Sequence, residues 1–189
     1  HKKNKKMMPF LHLPIQSGSD RILKEMNRKH TREEYLDLIN KIRSTSSKFA
    51  FSSDFIVGYP GETDEDFQDT LDLIEKVKFA SSYSFRYSER PGTPSSLKQN
   101  FIDEKRIAMR LKKIQGLLLE QQNEFNSSML GETAEVLITG KAKKDNQYVG
   151  RTPYLQPVHI YSSRNVIGRI LKTKIERLTS FSFHGKIIN

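Results

Sequence analysis

The stretch Phe51-Ser52-Ser53-Asp54-Phe55-Ile56-Val57-Gly58-Tyr59-Pro60-Gly61-Glu62-Thr63 constrains this chain more than any other. Its first half is apolar, aromatic and β-branched, the pattern of a buried strand. Gly58, Pro60 and Gly61 stop that strand and turn the chain. Thr63 followed by Asp66 resembles a capping box, with Asp where Glu is usual. Behind it Phe67, Leu71, Ile74 and Val77 recur at helical spacing. The reading is strand, glycine turn, helix. In parallel α/β folds the C-terminal ends of strands carry the chemistry. This turn puts backbone N–H groups and Glu62 at such an end. A plain βα turn of a Rossmann-like or barrel domain would look the same.

The flanking sequence extends the pattern. Pro9 to Ile15 reads as a strand, ended by the small-residue loop Gln16-Ser17-Gly18-Ser19-Asp20. Ser19 or Asp20 can cap a helix carrying Ile22, Leu23 and Met26. Thr31 with Glu34 is a second capping box, ahead of Tyr35, Leu36, Leu38, Ile39 and Ile42. Ser81 to Ser88 alternates as a strand, and Arg90-Pro91-Gly92-Thr93-Pro94 breaks it. The order strand–helix–helix–strand–helix–strand implies parallel strands with right-handed crossovers. Three such strands leave faces and edges to be covered, so the segment reads as part of a larger α/β barrel. A long helix follows from Asp103 to about Met129, with Ile107, Leu111, Ile114, Leu118 and Phe125 as its stripe.

After Gly131 the texture changes to alternating, β-branched segments with Gly and Asn turns, the pattern of a small antiparallel barrel. At about 60 residues it is near the lower limit for an independent core. The expected domains are therefore 1–127, α/β, and 128–189, β-barrel. The barrel segment holds ten Lys or Arg against four Asp or Glu, in a chain of 189 residues with net charge +10. That balance favours a polyanionic partner. Lys141, Lys143 and Lys144 share one expected turn, with Arg151 and Arg169 on strands nearby, and these five are the candidate phosphate contacts. Tyr148, Tyr154, Tyr161 and Phe183 can stack unpaired bases or fill the core, and core is the commoner use.

Other classes are excluded or disfavoured. No apolar run reaches the roughly 20 residues of a membrane span. The Lys-rich start lacks a small-residue cleavage site, so a cytoplasmic location is expected. It also begins without Met and runs straight into a strand, as a piece of a longer protein does. The chain has no Cys, which removes disulfides, thiolate nucleophiles and iron–sulfur ligation. No metal-ligand cluster stands out, and no feature bears on oligomeric state.

Four stretches in fixed order now carry a resemblance: Pro9–Asp20, Ser53–Thr63, Tyr87–Pro94 and Tyr148–Pro153. Together they resemble the C-terminal part of the radical S-adenosylmethionine methylthiotransferases, and most closely their tRNA 2-methylthio-adenosine synthase branch. The resemblance implies a partial radical-SAM β/α barrel followed by a TRAM domain, a small OB-like RNA-binding barrel. It implies S-adenosylmethionine and two 4Fe-4S clusters in the parent enzyme, one on a Cys-x-x-x-Cys-x-x-Cys loop. The product would be a methylthio group on carbon 2 of isopentenylated adenosine beside the anticodon, with the tRNA anticodon stem-loop as partner. By resemblance, Gln16, Ser17, Gly18, Asp54, Val57, Gly58 and Glu62 approach the cofactor. Tyr87 and Arg90 face the reaction centre or the RNA. His12 reads as an inward barrel residue bonded to a neighbour. The chain departs from the family in lacking every cluster cysteine, so alone it is expected to be inactive. Glu89 stands where the family usually has Pro. Two other readings are a non-catalytic RNA-binding protein and a sister enzyme acting on threonylcarbamoyl-adenosine tRNA or a ribosomal protein.

Overall fold

The computed structural model describes residues 4, 6–46, 49–89, 92, 101–180 and 182–188. The chain divides into two compact units, one of Leu11–Gln122 and one built on the residues from Asn123 onward.

In the first unit three strands form one sheet in the order β1-β2-β3: β1 Phe10–His12, β2 Ala50–Val57 and β3 Ser81–Arg86. β2 and β3 pair in parallel, from Ser52 opposite Ser81 to Val57 opposite Arg86. The helices are α1 Asp20–Glu25, α2 Arg32–Arg43, α3 Asp64–Val77 and α4 Glu104–Ser128. Both expected capping boxes form: Thr31 with Glu34, and Thr63 with Asp66. Each satisfies first-turn N–H groups that have no partner within their own helix.

Alternation along β2 separates the two faces of the sheet. Phe51, Phe55 and Val57 are fully buried in a cluster with Leu71, Ile74 and Ile114 from α3 and α4. Ser52, Asp54 and Ile56 face the other way. The first strand is shorter than the expected Pro9–Ile15. Pro14 has no N–H to give a ladder, and the segment instead leans on β2 through irregular bonds. Leu13 N–H donates to the Ser52 carbonyl and Ile15 N–H to Ser53 Oγ. A single parallel bridge then joins Gln16 to Phe55.

The second unit is a closed barrel in the order β4-β5-β6-β8-β7. Its strands are β4 Thr133–Lys141, β5 Gln147–Arg151, β6 Pro157–Tyr161, β7 Ile170–Leu178 and β8 Phe183–Ile187. The ladders are antiparallel except β6 with β8, which is parallel. The small antiparallel, OB-like barrel expected after Gly131 is present, and its one parallel seam arises because β8 inserts between β6 and β7, as in an OB-fold. Val136, Ile138, Val158, Ile160, Ile175 and Phe183 fill the interior. Tyr148 joins them and Tyr154 packs on them, whereas Tyr161 is exposed.

Gly18 lies against α3 so closely that a Cβ there would sit 2.4 Å from the Asp69 carbonyl oxygen. Backbone cannot retreat as a flexible side chain can. Gly18→Ala should therefore destabilise the fold by about 1–3 kcal/mol, as overpacking does. Chemical denaturation measures this. Gly116→Ala is the control: a Cβ there meets nothing within 4 Å, and a gain of up to about 1 kcal/mol is expected.

Candidate functional site

The face of the sheet turned away from the helices carries His12, Ser52, Asp54, Ile56, Tyr83 and Phe85. Register places Asp54 beside Tyr83 and Ile56 beside Phe85. The Tyr83 and Phe85 rings stack at 6.5 Å between centroids and are more than half exposed. The His12 ring is held between two neighbours, with Nδ1 3.0 Å from Ser52 Oγ and Nε2 3.6 Å from Asp54 Oδ2. Two large aromatics, an aliphatic side chain and a carboxylate-imidazole pair thus share one accessible surface. Such a surface can seat a flat heterocycle and accept hydrogen bonds from hydroxyls.

The loop after β1 is fastened to α3. Ser17 Oγ and Gly18 N–H both meet Thr70 Oγ1, at 3.3 and 2.9 Å. Ser19 Oγ donates to Asp66 Oδ1 at 2.6 Å, and Arg21 binds the same carboxylate. Gln16 is buried, with φ +81°, and its N–H donates to the Asp54 carbonyl. These polar groups hold the loop in place through bonds made within the chain. Asp66 is their hub. Burial works to raise its carboxyl pKa, but hydrogen bonds from Arg21, Ser19 and Thr63 outweigh burial and hold it well below the usual range.

The turn after β2 is fastened to α4. Glu62 is buried and accepts from Arg110 at 2.7 Å and from Gly58 N–H at 3.0 Å. Burial raises the Glu62 pKa, and the Gly58 N–H and Arg110 oppose it. Arg110 also binds Asp64 at 2.6 Å and lies over the Phe67 ring. Gly58 has φ +78°, and a Cβ on it would meet the Ile107 side chain at 2.9 Å. Val57 is buried toward the helices. Tyr87 follows β3; its ring packs edge-on against Tyr59 at 5.2 Å. Its hydroxyl oxygen is buried without a hydrogen-bond partner among the described residues. Arg90 lies outside the described residues. Sequence reasoning missed Arg110 and Gln121, two polar residues buried on the apolar stripe of α4. Gln121 caps both the Phe79 N–H and the Ile74 carbonyl at 2.9 Å.

On the barrel, Lys141, Lys143 and Lys144 are exposed at and just after the end of β4. Arg169 is exposed, and Arg151 is exposed with Nη1 donating to the Leu155 carbonyl. A second basic group was not foreseen. His159 and His184 lie directly opposite each other on β6 and β8, and Arg177 lies opposite His184 on β7. No spacing in the sequence signals a pairing between residues so far apart.

A Radical SAM superfamily profile matches residues 2–74, and a TRAM domain profile matches residues 127–188. The chain thus carries a radical SAM match followed by a TRAM match. It is 57% identical, over 85% of its length, to the tRNA-2-methylthio-N(6)-dimethylallyladenosine synthase of Ehrlichia canis (strain Jake), covering 36% of that protein. It is 50% identical, over 97% of its length, to the synthase of the same name from Rickettsia rickettsii (strain Sheila Smith), covering 41%. The chain thus spans about two fifths of the length of the curated relatives it matches. Among solved structures, the radical SAM enzyme coproporphyrinogen III oxidase from Escherichia coli superposes with a TM-score of 0.51 at 13% identity. That match covers 78% of this chain and 41% of the oxidase, a likeness of fold. The radical SAM segment contains β1, β2 and most of α3, and the TRAM segment contains the whole closed barrel.

The Asp66 hub predicts a pH dependence of stability. Its pKa is lowered on folding, so its contribution is present above the unfolded value, near 3.9, and is lost as pH falls below that value. Asp66→Asn should lower the thermal midpoint at pH 7 and flatten the loss of stability between about pH 5 and pH 2. Thermal unfolding followed by circular dichroism across that range checks it. Parallel profiles for wild type and variant would refute it.

Proposed function

We propose that this chain is the cofactor-facing and RNA-binding part of a tRNA methylthiotransferase. The enzyme would act in the cytoplasm and place a methylthio group on carbon 2 of isopentenylated adenosine next to the anticodon. The observation that carries this reading is identity of 50% to a synthase named for that product, over 97% of the chain. The open sheet face supports it.

That face suits S-adenosylmethionine. The Asp54 carboxylate can accept from ribose hydroxyls, and Ile56, Tyr83 and Phe85 offer an apolar and aromatic floor to an adenine ring. The Tyr87 hydroxyl is buried without a hydrogen-bond partner among the described residues. When bound, S-adenosylmethionine supplies the radical chemistry that an unactivated C–H bond requires. We assign Asp54 to cofactor contact, and Gln16, Ser17, Gly18, Val57, Gly58 and Glu62 to holding the strand ends that frame it. Tyr87 and Arg90 are assigned to the reaction centre or RNA side. The two 4Fe-4S clusters of the parent enzyme do not fit these residues: the chain has no Cys, and carboxylates and imidazoles alone do not hold such clusters. No step through them belongs to this chain.

Disrupting the gene that encodes this chain should remove the 2-methylthio derivative of isopentenyladenosine from hydrolysed tRNA and leave isopentenyladenosine in its place. Mass spectrometry of nucleosides reads this. An unchanged profile favours the non-catalytic RNA-binding reading. Loss of the threonylcarbamoyl-adenosine derivative instead favours the sister enzyme.

The barrel, residues 128–189, is proposed to bind the anticodon stem-loop through Lys141, Lys143, Lys144, Arg151 and Arg169. Each phosphate contact releases about one counterion. Replacing Lys143 and Lys144 with Ala should weaken binding by the full chain for all RNA sequences alike and flatten the log–log salt slope by about 2. A salt titration of affinity checks it; equal slopes would mean a solvated lysine turn that touches nothing.

A further inference from the structure

The outer surface of the barrel carries a row of side chains that the fold itself does not need. Val158 and Phe183, paired across β6 and β8, point inward and are fully buried. Their neighbours His159 and His184, paired in the same register, therefore point outward. The two imidazoles stack, with centroids 5.5 Å apart and planes 29° from parallel. The row continues on both sides. Val149 lies opposite His159 on β5, and Arg177 lies opposite His184 on β7. Two register steps along, Lys174 lies opposite Lys186. Like charges placed directly opposite each other in a sheet are destabilising, so this arrangement costs stability in the free protein.

The groups acting on His184 come from every element around it, and all are basic. Arg177 acts from β7, His159 from β6 and Lys144 from the turn after β4. Val149 on β5 is uncharged. Glu176 sits at the β7 bulge beside Arg177, and no salt bridge among the described residues involves it. The patch thus lacks its anion. His159 Nδ1 is buried without a hydrogen-bond partner among the described residues.

We propose that His159, His184, Arg177 and Lys144 form a subsite for one unpaired nucleotide of RNA, the imidazole pair carrying the base and the two cations its phosphate. The proposal rests on the RNA-binding reading and gives it a location and a regulator. Flat π-faces stack on any unpaired base, and Arg and Lys neutralise phosphate. In the free chain, burial and then the charges of Arg177, His159 and Lys144 hold the His184 pKa below its ordinary value. A phosphate arriving beside it acts in the opposite direction. Binding therefore takes up a proton, and affinity rises as pH falls through the histidine range.

The test uses the full chain and a fluorescent, unmodified anticodon stem-loop RNA, with a fully paired RNA duplex as comparator. Anisotropy is measured at constant salt from about pH 7.5 to about pH 5.5, within the range where histidine titrates. Stem-loop affinity should rise about three- to tenfold on acidification, up to the tenfold per pH unit that one proton allows; duplex affinity should not. His184→Phe keeps a stacking face but cannot titrate, so it should bind normally at the higher pH and lose the rise. His159→Ala with His184→Ala should weaken stem-loop binding at least about fivefold at both ends of the range. Arg177→Ala should lower the salt slope by about 1. Melting midpoints verify that each variant is folded, and if the double Ala variant is not, His184→Phe decides. Histidine variants that match wild type at every pH, while the Lys143/Lys144 variant is weakened, would overturn the subsite and leave the RNA reading standing. Absence of any stem-loop binding by the wild type would overturn both.

Discussion

The α/β unit depends on one buried ion pair, Glu62 with Arg110. Glu62 ends the turn after β2, and Arg110 lies in the second turn of α4, so the pair joins segments almost fifty residues apart. Both side chains are almost wholly removed from water, with exposures of 1% and 4%. Two lone charges at such depth would be prohibitive. Here the carboxylate also accepts the Gly58 N–H, and the guanidinium also reaches Asp64 and the Phe67 ring. Breaking one side of a buried pair of this kind typically costs about 3–5 kcal/mol, because the survivor is left uncompensated. The pair thus fixes register as much as it stabilises: α4 can lie across this strand end in only one way.

From that anchor the division of labour in the sheet follows. One face is closed by α3 and α4 with apolar side chains, and the strand-end loops are tied to those helices through Thr70, Asp66 and Arg110. All of these bonds lie on or behind the closed face. The other face keeps His12, Asp54, Tyr83 and Phe85 in the open. Residues that a motif singles out, Gly18 and Gly58 above all, do their observed work against the helices. Their small size lets the chain's own backbone and the Ile107 side chain come close. The residues that look outward are the alternate ones on the strands.

What could be read beforehand tracks the range of the interaction. Both capping boxes and the α3 and α4 stripes rest on contacts within one turn of helix, and spacing alone displays them. The strand β2 and its turn were legible for the same reason. The parallel seam between β6 and β8 was not, because alternation along each strand is equally satisfied by either partner direction. Arg110 and Gln121 break the apolar stripe of α4 and looked solvent-facing. Only the fold supplies the Glu62 carboxylate and the Ile74 carbonyl that accept from them, and the Phe79 N–H that donates to Gln121. The histidine pair was invisible in the same way. The lysine turn stood out because its three cations are consecutive or nearly so, whereas the patch around His184 gathers its residues from three strands and a turn.

The insertion of β8 between β6 and β7 carries a consequence for the order of folding. Synthesis runs from the N-terminus, so β4 to β7 emerge from the ribosome before the strand that closes them. Until β8 arrives, β6 and β7 each present an unpaired edge, and Phe183, fully buried in the finished barrel, is missing from the core. Contacts of this kind join late sequence to earlier sequence and slow the final step. His184 sits on that last strand, between His159 and Arg177. The surface it completes therefore exists only on chains whose barrel has closed.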